Sequence, residues 1–297
     1  MSAATGMSNV PDVRVDSARR SHTWVAPFRS VPGTVGLVLM LIVVVLTLMS
    51  VFGLTPYDPA HQNVKQSLNP PSSAHWFGTD QFGRDTFSRV AAGLSNSLLI
   101  AIVSVAAAAV VGTLLGVVAG FFLGVTDRVV GVITNVLFAF PSLLLALALA
   151  ATLQRSWLTV ALAIAIVYMP IFARVARGPV LSLRTAEYVA ASIALGRGRL
   201  STLFEHVIPN MRAILVVQVT LSLSWAILTE AALSFLGFGT PPPAASLGGM
   251  VYEAQTLSSV APWMLLFPGA ALICAVIGLN LLGDSLRAAL DSKKGER

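Results

Sequence analysis

The sequence predicts an all-α integral membrane protein that crosses the bilayer six times. Of its 297 residues, 56% are hydrophobic and only 11% are charged, whereas soluble domains carry about 25% charged residues. Too little polar surface remains to cover an exterior that faces water, so lipid is the expected solvent. Six apolar runs approach the length of about 20 residues that a membrane helix requires. The predicted spans are 35–54, 98–123, 129–151, 157–173, 213–236 and 263–282.

The positions of the basic residues predict the direction of the spans. Most of the 19 lysines and arginines lie in the two tails and in the loop between the fourth and fifth spans. Because cytoplasmic segments are enriched in these residues, both termini are expected in the cytoplasm. The predicted division is a cytoplasmic tail (1–32), a first transmembrane helix (33–54), an extracytoplasmic loop with an interfacial helix (55–94), a five-helix core (95–284) with a long cytoplasmic loop at 177–212, and a C-terminal tail (285–297).

Composition and motifs argue against a nucleic-acid-binding protein and against an enzyme. The net charge of +6 comes from basic residues between apolar runs, where they act as topology signals, so no nucleic acid is expected as a partner. The only cysteine, Cys274, excludes an intrachain disulfide. The sequence lacks the phosphate-binding pattern G-x-x-x-x-G-K-[ST] and the zinc pattern H-E-x-x-H. It therefore predicts no catalytic residue, no metal ligand and no cofactor bound by this chain.

Small residues in the second span form a regular row. Gly112, Gly116, Gly120 and Gly124 are each four residues apart, so they are expected on one helix face. A strip without side chains lets two membrane helices approach closely. The strip packs either within this chain or against a partner subunit, and the sequence leaves both alternatives open.

Two prolines and one carboxylate stand out inside the predicted spans. Pro141 and Pro268 are expected to distort their helices, because proline removes a backbone hydrogen bond and clashes with the preceding turn. Glu230 is the only ionisable residue well inside a span, and a carboxylate in lipid needs a partner or a wet cavity. Glu230 is therefore a candidate for the substrate pathway, or else it forms a structural hydrogen bond.

The loop between the fourth and fifth spans has the spacing of two short helices. Apolar residues recur at helical intervals on both sides of Gly196 and Gly198, and glycine permits the turn between them. The second helix is expected to stop near Pro209. An element of this kind lies across the membrane surface and offers a knob to another protein.

This loop resembles the EAA loop of ABC importer permeases, in which a coupling helix seats in a groove of the ATPase subunit. The family pattern centres on a glycine followed thirteen residues later by a proline, as at Gly196 and Pro209. The family glutamate is absent, since Ala190 stands at its position, and Glu187 lies one turn earlier. The resemblance assigns ATPase coupling to Glu187, Tyr188, Ala190, Ala191, Gly196, His206, Pro209 and Asn210.

A second motif, G-T-D-x-x-G-R-D, lies in the first extracytoplasmic loop. It resembles the signature of the C-type permease in dipeptide, oligopeptide and nickel importers, although Ser95 replaces the arginine that usually follows it. Thr79 or Asp80 is expected to cap a short helix there. The motif residues are Gly78, Thr79, Asp80, Gly83, Arg84 and Asp85.

Together, these resemblances imply a type I ABC importer permease fold with six transmembrane helices in a bacterial inner membrane. They imply a homologous second permease, two ABC ATPase subunits that bind ATP and Mg, and an extracytoplasmic solute-binding protein as partners. Short peptides are the expected cargo, with nickel chelates, glutathione or another small solute as alternatives. An ion-coupled secondary carrier is a more distant alternative, which predicts internal repeats and more intramembrane carboxylates.

Overall fold

A computed structural model describes residues 30–292, with side chains described as far as residue 289. The predicted all-α class is confirmed, since this part of the chain forms helices and no strand. The basic residues of both predicted tails fall largely outside the described residues. The helices are α1 (Val31–Val51), α2 (Thr86–Phe122), α3 (Gly124–Ala139), α4 (Ser142–Thr152), α5 (Trp157–Leu183), α6 (Glu187–Ala194), α7 (Arg199–Thr202), α8 (Ile208–Phe235), α9 (Leu247–Ala254) and α10 (Trp263–Ser292).

Five of the described helical segments are long and apolar enough to cross a membrane, and the α3–α4 pair makes a sixth if it is one span. The axes of α3 and α4 are bent by 93° at Pro141, which confirms the predicted distortion there. Pro268 behaves differently, because α10 continues through it. The predicted third span is thus a broken helix, in which the lost hydrogen bond and the proline ring interrupt the backbone ladder.

The second span is much longer than its apolar run. At 37 residues, α2 is about 55 Å long, whereas the hydrocarbon core of a bilayer is about 30 Å thick. Residues 87–94 belong to the loop expected to carry the interfacial helix, but they are the first turns of α2, and all of them except Ala92 are buried. No proline interrupts this segment, and Gly93 packs against Leu247, so the helix continues into the span.

The second short helix of the 177–212 loop also differs from the prediction. It does not stop near Pro209, because α7, a π-helical turn at Leu203–Val207 and α8 follow one another directly. Pro209 lies in the first turn of α8, directly after the π-helical turn. The predicted fifth span therefore begins inside the loop.

Close contacts fix the relative directions of the helices. Gly112, Gly116 and Gly120 of α2 face successive turns of α5 in the same order, so these two helices run parallel. Because α2 ends at one end of the bundle and α5 begins at the other, residues 123–156 must return across it. Gly36 of α1 lies beside Leu281 of α10, and Gly278 lies beside Met40, so that pair is antiparallel.

The core lies where α2, α5 and α8 meet. Ile100, Ile164, Phe172 and Ile227 have at most 1% of their surface exposed, and they belong to one apolar cluster. Outward-facing apolar residues such as Leu41, at 61% exposed, cover the periphery. An exterior of this kind requires lipid or another apolar surface around it.

Candidate functional site

The segment from residue 184 to residue 210, called the coupling segment below, is anchored to the end of the bundle by apolar contacts. Val189 of α6 is fully buried, as is Val207 of the π-helical turn. They form a cluster with Val117 of α2 and Val180 of α5. The inner face of the coupling segment is therefore packed against the two parallel helices α2 and α5.

The turn after α6 depends on Gly196, whose φ is +84°. The N–H of Gly196 donates to the carbonyl of Ile193 (3.0 Å), and the N–H of Arg197 donates to that of Ser192 (3.2 Å). This is the hydrogen-bond pattern of a Schellman C-cap, in which glycine adopts the left-handed conformation most easily. A hydroxyl hydrogen bond between Ser192 and Thr202 (3.1 Å) then joins α6 to α7.

The outer face of the coupling segment is apolar and exposed. Leu195 has 85% of its surface exposed, Leu200 has 60% and Phe204 has 56%. Isolated exposed apolar residues are common, but here three large ones surround a single turn. An anchored base with an apolar knob has the form of a docking element for another protein.

The structure brings together some of the residues assigned to ATPase coupling. The rings of Tyr188 and His206 have centroids 6.2 Å apart, and the Asn210 amide donates to the His206 carbonyl at 2.6 Å. Glu187, Ala190 and Ala191 are exposed on α6. Tyr188, His206 and Asn210 thus connect α6 to the start of α8, while the other α6 positions face outward.

Glu230 lies inside the chain, with none of its surface exposed. Its carboxylate accepts hydrogen bonds from Ser97 of α2 and from Ser234 of α8, each at 2.6 Å. Both oxygens therefore have a partner from this chain, as a buried carboxylate requires. This geometry is the one that the structural alternative predicts.

At the opposite end of the bundle, the G-T-D-x-x-G-R-D motif forms a cluster of charges in which Asp80, Arg84 and Arg89 are buried and Glu253 is half-buried. The Arg84 guanidinium contacts Asp80 at 2.5 Å and Glu253 of α9 at 3.1 Å. The Arg89 guanidinium lies 3.4 Å from Asp80 and 3.9 Å from Glu253. Two positive and two negative groups compensate each other, as buried charges require. This cluster joins the first loop, α2 and α9.

The same motif begins α2, with a different cap from the one predicted. Asp85, rather than Thr79 or Asp80, is the N-cap, and its carboxylate accepts the N–H of Ser88 at 2.8 Å. Its other oxygen contacts the ring of His75 at 2.9 Å. Asp80 instead accepts the N–H groups of the tight turn that precedes Asp85.

The two glycines of the motif are required by close approach as well as by conformation. Gly78 and Gly83 both have φ of +70°. A Cβ on Gly83 would meet the carbonyl of Asn63, and a Cβ on Gly78 would meet the indole of Trp263. The Trp263 N–H also donates to the Thr79 carbonyl at 3.0 Å. The motif thus acts as a packed structural unit.

Sequence reasoning missed Glu253, His75 and Trp263 as partners of this motif. Glu253 is 169 residues from Arg84, so spacing along the chain gives no indication of their contact. The available signal was charge balance, because two arginines near one apolar segment require acidic partners. Glu253 is an acidic residue in the loop between the last two predicted spans, on the same predicted side.

The predicted glycine row is only partly a packing strip. A Cβ on Gly112 would meet the Met169 carbonyl of α5, and Gly116 and Gly120 face later carbonyls of the same helix. These three glycines therefore pack within this chain. Gly124 does not join them, because α2 ends at Phe122 and a Cβ on Gly124 would meet nothing within 4 Å.

The apolar helices, the broken span and the anchored loop define a multi-pass membrane protein with an exposed apolar knob at one end. The chain belongs to the family of binding-protein-dependent transport system inner membrane components, whose model matches residues 112–296. It is therefore the membrane permease component of a transport system and not an enzyme. Membership of this family also implies partnership with other components of such a system.

Named relatives extend over most of the chain. It is 39% identical over 279 residues to a dipeptide transport system permease of Alkalihalophilus pseudofirmus, covering 92% of each chain. It is 36% identical over 291 residues to an oligopeptide transport system permease of Bacillus subtilis, covering 96% of this chain and 95% of the relative. A glutathione transport system permease of Pectobacterium atrosepticum is 41% identical over 241 residues, covering 81% of this chain and 80% of the relative. The resemblance drawn from the sequence motifs is confirmed.

Proposed function

We propose that this chain is one permease subunit of an ATP-driven importer of short peptides, in the inner membrane of a bacterium and with both termini in the cytoplasm. The observation that carries this proposal is the coupling segment, whose apolar knob around Leu195 is exposed while its base is buried. A chain that lacks a phosphate-binding motif needs a separate source of energy, and this knob offers the contact.

The proposed partners are those that the resemblance to ABC importer permeases implies. Two ABC ATPase subunits bind ATP and Mg, and one of them receives the knob. A homologous second permease completes the translocation pathway, and an extracytoplasmic solute-binding protein delivers the cargo. When the ATPases close, the displaced knob pulls on the apolar cluster that includes Val189 and Val180, and the movement reaches α2 and α5.

Short peptides are the cargo that the relatives favour. Two of the relatives described above are named for dipeptides and oligopeptides. Glutathione is a second candidate cargo, supported by the relative named for it at 41% identity. Both candidates are small peptide-like solutes with free carboxylates, so a translocation pathway with the same chemistry can carry either of them.

Two substitutions in the coupling segment test the proposed coupling. Gly196 has φ of +84°, which a β-branched residue resists, whereas Gly198 has φ of −63° and ψ of 143°. A Cβ at either position would meet nothing within 4 Å, so only the backbone conformation distinguishes them. In proteoliposomes that contain all the proposed subunits, Gly196→Val should reduce ATP-dependent dipeptide uptake about tenfold while ATP hydrolysis continues. Gly198→Val should transport like the wild type.

Two outcomes would contradict the proposal. Equal uptake by the two variants would remove the coupling role of the turn at Gly196. Uptake by liposomes that contain this chain without any ATPase, driven by an ion gradient, would indicate a secondary carrier instead.

A further inference from the structure

A cavity of about 430 Å³ lies between α3 and α5, near the end of the bundle that carries the coupling segment. Its polar lining comes from Asp127, Arg128, Thr134 and Asn135 of α3 and from Arg174 and Arg177 of α5. The cavity is not lined by the coupling segment, by the charge cluster of the first loop or by Glu230.

The cavity carries excess positive charge. Asp127 is its only acidic residue, and both carboxylate oxygens accept hydrogen bonds from Arg177, at 2.6 and 2.8 Å. Arg128 and Arg174 have no acidic partner within the described part of the chain. Two guanidinium groups therefore remain for an external anion, and guanidinium is the side chain best suited to bind phosphate through two hydrogen bonds.

Two neighbours restrict the position of the Arg174 side chain. Its guanidinium lies 4.1 Å from the centroid of the Phe138 ring, and one of its nitrogens lies 3.5 Å from the Asn135 amide oxygen. A cation held over an aromatic ring is partly ordered before any ligand arrives. Binding therefore costs less side-chain entropy than it would with a free surface arginine.

The depth of the cavity in the membrane matches the lipid headgroups. Arg174 follows Trp157, the first residue of α5, by 17 residues, which corresponds to about 26 Å along the helix. Tryptophan commonly marks the opposite membrane–water interface. With a hydrocarbon core about 30 Å thick, the guanidinium of Arg174 lies close to the headgroup region of the other leaflet.

An apolar path leads from the cavity along α3. Val129, Val132 and Val136 recur at helical spacing on one side of this helix, and each has at least 50% of its surface exposed. Such a row provides contact for an acyl chain, while the arginines face the phosphate. A free anion dissolved in water would gain nothing from contact with this apolar row.

We propose that this cavity binds the headgroup of an anionic phospholipid, with Arg128 and Arg174 contacting the phosphate and the α3 valines contacting an acyl chain. Basic pockets between transmembrane helices are a recognised form of lipid headgroup site. The bound lipid fills the space between the broken span and α5. This site does not depend on the cargo or on the ATPases.

The test uses the full-length chain in a neutral detergent, with retained lipid counted by native mass spectrometry. Phosphatidylglycerol and phosphatidylcholine with identical acyl chains are compared. Phosphatidylglycerol should bind in preference, and the double variant Arg128→Gln/Arg174→Gln should reduce its affinity about 30-fold. Arg128→Gln alone, at an exposed position outside the Asp127–Arg177 pair, should reduce it about fivefold. The control Arg212→Gln removes an exposed positive charge of α8 outside the cavity and should leave the affinity unchanged.

Three results would overturn the proposal. One is equal retention of the two lipids by the wild-type chain. Another is an equal loss of affinity in the Arg212→Gln control, which would indicate non-specific attraction to net charge. The third is displacement of phosphatidylglycerol by millimolar inorganic phosphate, which would identify a site for a free anion.

Discussion

At the residue scale, the two oxygens of Asp80 have separate partners. Its Oδ1 atom accepts the backbone N–H groups of Phe82 and Arg84, each at 2.9 Å, and its Oδ2 atom faces the guanidinium groups of Arg84 and Arg89. Replacement by asparagine keeps an oxygen for the backbone and removes the charge. Asp80→Asn therefore tests the contribution of the ion cluster while the hydrogen bonds of the turn are retained.

Asp80→Asn should lower the free energy of unfolding by about 3 kcal/mol, because it leaves buried arginines undercompensated. The measurement is equilibrium unfolding in mixed detergent micelles. Asp58→Asn is the matched control in the same loop, since Asp58 is exposed and its Oδ1 accepts only the N–H of Ala60. The control should change the free energy by less than about 0.5 kcal/mol. Equal effects of the two substitutions would argue against the ion cluster.

Alanine substitutions at Gly83 and Gly53 distinguish the cost of close contact from the cost of the backbone conformation. Their φ angles are +70° and +65°, so alanine carries a similar conformational cost of about 1 kcal/mol at both. A Cβ at Gly83 would meet the Asn63 carbonyl, whereas a Cβ at Gly53 would meet nothing within 4 Å. Gly83→Ala should therefore be clearly more destabilising than Gly53→Ala in a thermal unfolding assay. A similar loss of thermal stability in the two variants would mean that the loop moves to make room for a Cβ at position 83.

At the element scale, the parallel contact of α2 and α5 depends on the glycine row. A Cβ at Gly116 would meet the Ala173 backbone, so Gly116→Ala should push the helices apart and destabilise the chain by about 2 kcal/mol. Gly269→Ala is the control, because Gly269 lies within α10 with nothing near its Cβ position. That substitution should be neutral or stabilising, since alanine favours helix over glycine by up to about 1 kcal/mol. Unfolding of both variants in detergent gives the comparison.

The elements show which features a sequence pattern determines. Apolar runs identified each region that crosses the bundle, because hydropathy follows directly from the lipid solvent. The ends of α2 and α8 were less predictable, since polar residues such as Arg89 are helical when tertiary contacts compensate their charge. The break at Pro141 was visible from the sequence, but its angle depends on the neighbours of α3 and α4.

The candidate site, like the helices, was predicted from the sequence only in part. Gly196 indicated the turn, because a left-handed position favours glycine whatever surrounds it. The exposed knob at Leu195 could not be read from hydropathy, since the same residue type fills the core. For Glu230, the sequence left two alternatives, and its hydrogen bonds to Ser97 of α2 and to Ser234 of its own helix, α8, favour the structural one.

At the scale of the whole molecule, the helix directions connect the site to the topology. The Ser224 hydroxyl of α8 donates to Asn280 of α10 at 2.6 Å, and Gly283 lies beside Leu221, so α8 and α10 are antiparallel. The start of α8 therefore lies near the end of α10, and the start of α1 lies there too, because Gly36 is beside Leu281. The coupling segment and both ends of the described chain thus share one end of the bundle. The described chain must therefore cross the bundle an even number of times.

The broken α3–α4 pair must then provide one of these crossings, which accessibility can test. Cys274 is the only cysteine, so Cys274→Ser gives a background for single cysteines at two exposed positions, Thr126 at the start of α3 and Gln154 after α4. In inside-out membrane vesicles, a membrane-impermeant maleimide should label Thr126→Cys readily and Gln154→Cys only after the membrane is permeabilised. In right-side-out vesicles the order should reverse. Labelling of both cysteines from one side would mean that the 93° bend returns the chain to the face it left, and the parallel arrangement of α2 and α5 would then require a different path between them.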